Sequence, residues 1–188
     1  MILYLHGFRS APRSFKAMAM HAALTRLGRG AQFHCPQLPV APQQAIDLAE
    51  ALLARADSEP TLVGSSLGGY YATWLAEKHG CRAVLLNPAV VAPLSLEKYI
   101  GEQTNLYTGE RFDFTAQHVQ ELRALEVPRI SRPERYLLVV ETGDELLDYR
   151  DAVSRYMGAN MIVRAGGDHS LTSFGEHLPA MLQFAGIR

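Results

Sequence analysis

Gly64-Ser65-Ser66-Leu67-Gly68 sets a serine between two glycines where the apolar run Thr61-Leu62-Val63 passes into a helical pattern. G-x-S-x-G between strand and helix can hold a nucleophile at the tip of a sharp turn. The turn crowds the residues two before and two after the serine, which is why glycine suits positions 64 and 68. A helix opening at Leu67 would turn its free N–H groups and positive dipole end toward a developing oxyanion. An isolated motif of this length also fits a glycine-rich turn that binds nothing. A phosphate-binding reading is weak, because neither G-x-G-x-x-G nor a Gly-Lys-Ser/Thr ending is present.

A serine nucleophile needs a base, and the chain has seven histidines. His169 is the candidate: it follows Gly166-Gly167-Asp168, a flexible stretch able to aim the ring, and precedes the last helical pattern. His177 falls inside that helix, and His118 would reach the site only if its segment folded over it. His21, His34 and His79 read as structural. Two carboxylates compete to orient the base. Asp144 directly follows an apolar strand in Thr142-Gly143-Asp144, and Asp148 lies one helical turn further on. Asp144 is favoured because a strand end is a fixed point, from which it could hold the histidine Nδ1–H. Asp168 reads as a loop hydrogen-bond acceptor. His6-Gly7-Phe8, after the first apolar run, would complete an oxyanion hole from the backbone N–H groups of Phe8 and Leu67, with His6 bracing the loop.

The elements that must position these groups follow from periodicity. Ile2–Leu5, Ala31–Cys35, Thr61–Ser65, Ala83–Leu86, Tyr136–Val140 and Met161–Val163 read as six strands. Helices are expected over about 13–27 (apolar Phe15, Met18, Ala22, Leu24), 43–56 (Ile46, Leu48, Leu52, Leu53), 67–79 and 145–156. A further helix should open with a capping box, Ser173-Phe174-Gly175-Glu176. Strands alternating with helices predict a parallel sheet covered on both faces, with ligands bound beyond the carboxyl ends of the strands. Residues 88–134 break the rhythm with Pro93, Gly101, Gly109, Pro128 and Pro133. Their exposed-looking aromatics Tyr99, Tyr107, Phe112 and Phe114, with a helical pattern over 117–125, suggest an ordered cap inserted in the domain.

Composition narrows the function classes. At 188 residues, 48% hydrophobic and 20% charged, one soluble domain is expected, and a net charge of −1 gives no basic field for nucleic acid or acidic membranes. Cys35 and Cys81 sit in apolar surroundings and read as buried free thiols, without metal-type spacing. The start Ile2-Leu3-Tyr4-Leu5 lacks a charged leader, and no 18-residue apolar run exists, so a cytoplasmic protein without stable membrane anchoring is expected.

Together the stretches Tyr4-Leu5-His6-Gly7-Phe8 with Ser10 and Pro12, Gly64-Ser65-Ser66-Leu67-Gly68-Gly69, Gly101-Glu102-Gln103-Thr104-Asn105, Thr142-Gly143-Asp144 through Tyr149, and Gly166-Gly167-Asp168-His169-Ser170 resemble the α/β-hydrolase superfamily. Within it they resemble the small bacterial YqiA/YcfP-like esterase family. The candidates also run in the chain order Ser, Asp, His of that superfamily. The resemblance implies the α/β-hydrolase fold: a mostly parallel six-stranded sheet with helices on both faces, one domain over 1–188, and a cap insertion at about 88–134. It implies a Ser66, Asp144, His169 triad, hydrolysis of a small acyl ester or thioester, and no cofactor. Two other readings stay open, a binding protein on a hydrolase scaffold and an acyltransferase. The oligomeric state, a homo-oligomer included, is left open.

Overall fold

The computed structural model of the chain describes residues 1–187. It opens with strand β1 (Ile2–Leu5), helix α1 (Phe15–Arg26), the two-residue strand β2 (Phe33–His34) and helix α2 (Pro42–Leu53). Strand β3 (Thr61–Ser65), helix α3 (Leu67–His79) and strand β4 (Arg82–Leu86) follow. Next come α4 (Ala92–Glu97), the hairpin β5 (Gly101–Thr104) and β6 (Arg111–Phe114), and α5 (Ala116–Ala124). The chain then completes β7 (Tyr136–Glu141), α6 (Tyr149–Arg155), β8 (Asn160–Arg164) and α7 (Phe174–Phe184).

Six strands form one sheet in the order β2-β1-β3-β4-β7-β8, every neighbouring pair parallel. The chain winds outward from β1 to β2, then returns to β3 and proceeds the other way. The carboxyl ends of β1 and β3 therefore diverge at a topological switch point, where open parallel sheets leave a crevice.

Strand residues alternate between two cores, as a two-residue period requires. Leu3, Leu5, Leu62, Leu85 and Leu138 face α2, α3 and α6, whereas Tyr4, Val63, Val84, Leu86 and Val139 face α1 and α7. Leu75 of α3 is wholly buried, and its truncation to alanine would cost about 2–5 kcal/mol. Helix α3 ends at Gly80, whose φ of 73° is the left-handed conformation glycine adopts freely.

Several expected elements are corrected. In α1 the buried face is Ala17, Met20, Ala23 and Leu24, while Phe15 and Met18 point outward. In α2 the buried residues are Pro42, Ala45, Ile46 and Ala49, and Leu48, Leu52 and Leu53 are only half-buried. Cys35 is also half-buried, Cys81 is buried, and both are free thiols. Residues 145–147 form a bend, and α6 begins only at Tyr149, because Asp144 takes up the N–H groups of Leu146 and Leu147. At α7 no capping box forms, since the Ser173 hydroxyl is committed to the carboxylate of Glu141.

The segment between β4 and β7 is ordered into α4, the β5–β6 hairpin and α5. Phe114, which reads as exposed in sequence, is buried with Val119, Leu122 and Leu125 in the same core as α2 and α3. The hairpin is clipped to the loop after β1: Leu106 N–H donates to Arg9 O (2.8 Å), Arg9 Nε to Thr104 O (2.9 Å) and Asn105 Nδ2 to Ser10 O (2.7 Å).

Candidate active site

Ser66 sits between β3 and α3 with φ 54° and ψ −119°, a conformation that costs a residue bearing Cβ roughly 1–3 kcal/mol. Its backbone is fully engaged, which offsets that strain. Ser66 N–H donates to Leu86 O (3.0 Å), and its carbonyl accepts from Gly69 N–H (2.9 Å) and Ala89 N–H (3.1 Å). A Cβ at Gly64 would overlap the Gly68 carbonyl, and one at Gly68 would overlap that of Leu5. The turn therefore nests between β1 and its own helix. From the other side, a Cβ at Gly7 would lie 3.2 Å from Ser66 Cβ, so the loop after β1 rests directly on the turn.

His169 comes from the loop after β8. Its Nε2 is 3.1 Å from Ser66 Oγ, and its Nδ1 is 2.8 Å from Asp144 Oδ2 and 3.0 Å from Oδ1. Because a carboxylate only accepts, Nδ1 carries the proton and Nε2 presents its lone pair to the serine hydroxyl. The Asp144 side chain is 2% exposed, and its Oδ1 also accepts from the N–H groups of Leu146 and Leu147, both at 2.9 Å. Asp148 is directed elsewhere. It caps α6 by accepting from Arg150 N–H and pairs with the Arg150 guanidinium, which holds its carboxyl down at about 2. Asp168 accepts from Thr172 N–H at 3.3 Å. His118 closes a capping box with Thr115 at the start of α5, and His177 Nε2 donates to Ser173 Oγ, whose own proton goes to Glu141.

Beside the serine, the N–H groups of Phe8 and Leu67 meet no acceptor among the described residues. The Phe8 ring, to which the oxyanion role assigns little importance, anchors this loop. Its centroid lies 5.7 Å from that of Tyr99, 5.9 Å from Phe112 and 5.0 Å from Phe114. His6 braces the loop from below, its Nε2 accepting from Leu38 N–H (3.1 Å) and its Nδ1 donating to Gly7 O (3.0 Å). Burial holds the His6 pKa below the ordinary histidine value.

Four supporting residues escape sequence reasoning. Asn87, at φ 40° after β4, donates from Nδ2 to the carbonyls of Asp168 (3.0 Å) and His169 (3.3 Å). Its Oδ1 accepts from Glu141 N–H at 3.0 Å, so one amide ties the His169 loop to β7. Glu141, with no exposure, accepts from Asp168 N–H at 2.8 Å and from Ser173 Oγ. Glu145 accepts from His169 N–H at 2.9 Å, which lowers its carboxyl pKa. Lys16 donates to Ser170 O at 2.7 Å. Burial pulls its ammonium down to about 8, against the opposing pull of Asp168, Asp144 and Glu141. The signals for two of them were an acidic residue closing an apolar strand and an asparagine between a strand and Pro88.

A cavity of about 200 Å³ opens over Ser66 and His169, walled by Leu67, Ala89, Leu96, Tyr99 and Leu147. A second, of about 270 Å³, lies beyond Phe8 and Leu67 and touches neither Ser66 nor His169. Among the described residues no helix is long and apolar enough to cross a membrane.

The architecture is that of the α/β hydrolases. A protein of Agrobacterium vitis S4 superposes with a TM-score of 0.76 at 22% identity, covering 98% of this chain and 87% of that one. Mouse alpha/beta hydrolase domain-containing protein 10 gives 0.73 at 18% identity, over 97% and 87%. Est1E of Butyrivibrio proteoclasticus, solved with ferulic acid bound, gives 0.67 at 15%, over 97% and 86%. At such identities the likeness is one of fold. The family model of UPF0227, an uncharacterised protein family, matches residues 1–186, and the chain belongs to that family.

Proposed function

We propose that this protein is a serine hydrolase that cleaves the ester or thioester bond of a small acyl substrate. Ser66 Oγ attacks the carbonyl carbon as its proton passes to His169 Nε2, and the tetrahedral oxyanion is held by the N–H groups of Phe8 and Leu67. Collapse expels the alcohol or thiol, which takes the proton from His169. Water then enters by the same route: His169 accepts its proton, the acyl-enzyme is hydrolysed, and the carboxylic acid leaves Ser66 reprotonated. Asp144 keeps the imidazole in the productive tautomer and stabilises the imidazolium. The observation that carries this reading is the unbroken chain from Asp144 through His169 to a serine held at φ 54°. The small, largely apolar cavity above it suits a short acyl group.

The test is labelling with a fluorophosphonate probe beside hydrolysis of 4-nitrophenyl butyrate. Wild type should be labelled on Ser66, whereas Ser66→Ala should stay folded, unlabelled and slower by roughly 10⁴–10⁶-fold. Ser65→Ala should keep most activity, since that residue closes β3 with its side chain buried. Labelling that survives in Ser66→Ala would refute the assignment.

A further inference from the structure

Two cations line the cavity over Ser66, Arg9 and Lys98, and no aspartate or glutamate does. The chain as a whole is nearly neutral, at −1, so this is no sample of a basic surface. Five cations elsewhere meet a carboxylate, Lys78 with Glu50, Arg111 with Glu102, Arg123 with Glu97, Arg150 with Asp148 and Arg164 with Glu176. Neither Arg9 nor Lys98 pairs with a carboxylate among the described residues.

Arg9 is also held in place. Its backbone adopts φ 57°, a conformation uncommon outside glycine, and is pinned by Leu106 N–H on its carbonyl. Its Nε donates to Thr104 O, which leaves the two terminal guanidinium nitrogens without an acceptor among the described residues. Such a planar pair of N–H donors matches a carboxylate or phosphate. Lys98 lies on the same cavity with its ammonium 5.3 Å from the Tyr99 ring centroid. The exposed Leu106 and Leu146 line the same cavity, so an apolar surface lies beside the two charges.

We infer that the substrate carries a negative charge on its non-reacting part, held by Arg9 and Lys98 beside the acyl cavity. This rests on the serine-hydrolase reading and names its substrate class: an amphipathic acyl ester or thioester, with the apolar portion against the leucines and the anion at the cations. The anion could belong to the acyl group, as in a dicarboxylic monoester, or to the leaving group.

Three esters separate these sources. They are 4-nitrophenyl butyrate, mono-4-nitrophenyl glutarate (charge on the acyl side) and 3-carboxy-4-nitrophenyl butyrate (charge on the leaving side). The readout is kcat/KM for each anionic ester relative to the neutral one, corrected for their rates with hydroxide. Wild type should favour one anionic ester about tenfold or more, and the favoured one names the side. Arg9→Gln should cut that ratio about tenfold, as loss of a charge-assisted fork would. Lys98→Gln, at an exposed side chain, should cut it about threefold. Because Arg9→Gln also frees the Thr104 carbonyl, Arg9→Lys is included and should retain part of the preference. Raising sodium chloride to about 0.5 M should shrink the ratio in wild type, since the screening length then falls below the usual ~10 Å.

Equal use of neutral and anionic esters by wild type overturns the inference and leaves the hydrolase reading standing. So does a ratio unmoved in the Arg9→Gln, Lys98→Gln double variant, because a cation that only steadied the oxyanion would slow every ester alike. If no ester turns over and Ser66 escapes the fluorophosphonate, both readings fall together.

Discussion

Asp144→Asn tests the catalytic reading through one atom. Two backbone donors, the N–H groups of Leu146 and Leu147, both point at Oδ1 from 2.9 Å. They dictate how the amide must sit: oxygen at the Oδ1 position, NH₂ at the Oδ2 position, 2.8 Å from His169 Nδ1. That nitrogen must then accept, so the ring proton moves to Nε2 and points at Ser66 Oγ, 3.1 Å away. A base already carrying a proton there cannot take another from serine. The expected loss in kcat is about 10⁴-fold, or roughly 5.4 kcal/mol of transition-state stabilisation at 1.36 per factor of ten. Stability should change little, about 1 kcal/mol, because the turn bonds survive and a neutral hydrogen bond replaces the charge-assisted one. The assay is 4-nitrophenyl butyrate hydrolysis beside circular dichroism and a thermal melt. Asp148→Asn serves as comparison and should keep near-normal rates, since asparagine caps a helix as well as aspartate does. A crippled Asp148→Asn beside an active Asp144→Asn would refute the reasoning.

Asn87→Ala leaves the half-buried His169 carbonyl and the buried N–H of Glu141 without their partner and takes one of two donors from the Asp168 carbonyl, which keeps Leu171 N–H. A loss of about 2–3 kcal/mol is expected, seen as a Tm lower by roughly 5–10 °C, with kcat falling more than KM rises. Gly68→Ala should fail to fold, because its Cβ meets the Leu5 carbonyl, whereas Gly175→Ala meets nothing within 4 Å and should be neutral or stabilising by about 0.4–1 kcal/mol; soluble yield and thermal melts decide. His6 has its pKa lowered by burial, so on acidification the unfolded chain takes its proton first. Its contribution to stability is present above the ordinary histidine value of about 6.5 and is lost as pH falls from there through the folded-state value. Nuclear magnetic resonance titration should find His6 neutral where free histidine is charged, and titration at or above the ordinary value would contradict this.

Much of the sheet was legible because its strands are buried on both faces and read as continuous apolar runs; β3 is recovered residue for residue, Thr61–Ser65. Ser66, Asp144 and His169 stood out because each follows a strand at the same edge, where side chains are presented rather than packed. What stayed hidden depends on long-range partners. Strand Gly101–Thr104 has little intrinsic strand character and Arg111–Phe114 alternates over only four residues, and both owe their pairing to each other and to the loop after β1. The Ser173 cap failed because a carboxylate 32 residues earlier outcompetes the local backbone. The start of α6 was misread because Asp144, needed at His169, also gathers the following N–H groups. Asn87 and Glu141 were passed over because strand-end residues of their type are common, and only the folded sheet reveals what they hold.

The hairpin clip has a consequence for how this scaffold can be re-engineered. Residues 9 and 10 take part as carbonyl acceptors, and Thr104 and Leu106 through backbone atoms, so among the described residues the side-chain bonds in that junction come from Arg9 Nε, the Asn105 amide and the Arg13 guanidinium, which donates to Tyr107 O. Asn105 further folds its own tip by accepting from the N–H groups of Tyr107 and Thr108. A segment attached in this way behaves as a cassette: provided position 105 keeps its asparagine and the aromatic seat for Phe8 is conserved, the outward-facing residues of 101–113 can be rewritten. Leu106 at the mouth is the natural first position for a library, because its side chain is 70% exposed while its backbone makes the bond. Transplanting the hairpin alone onto a relative with a different loop after the first strand would leave both halves of the joint unpaired, so the two segments should travel together.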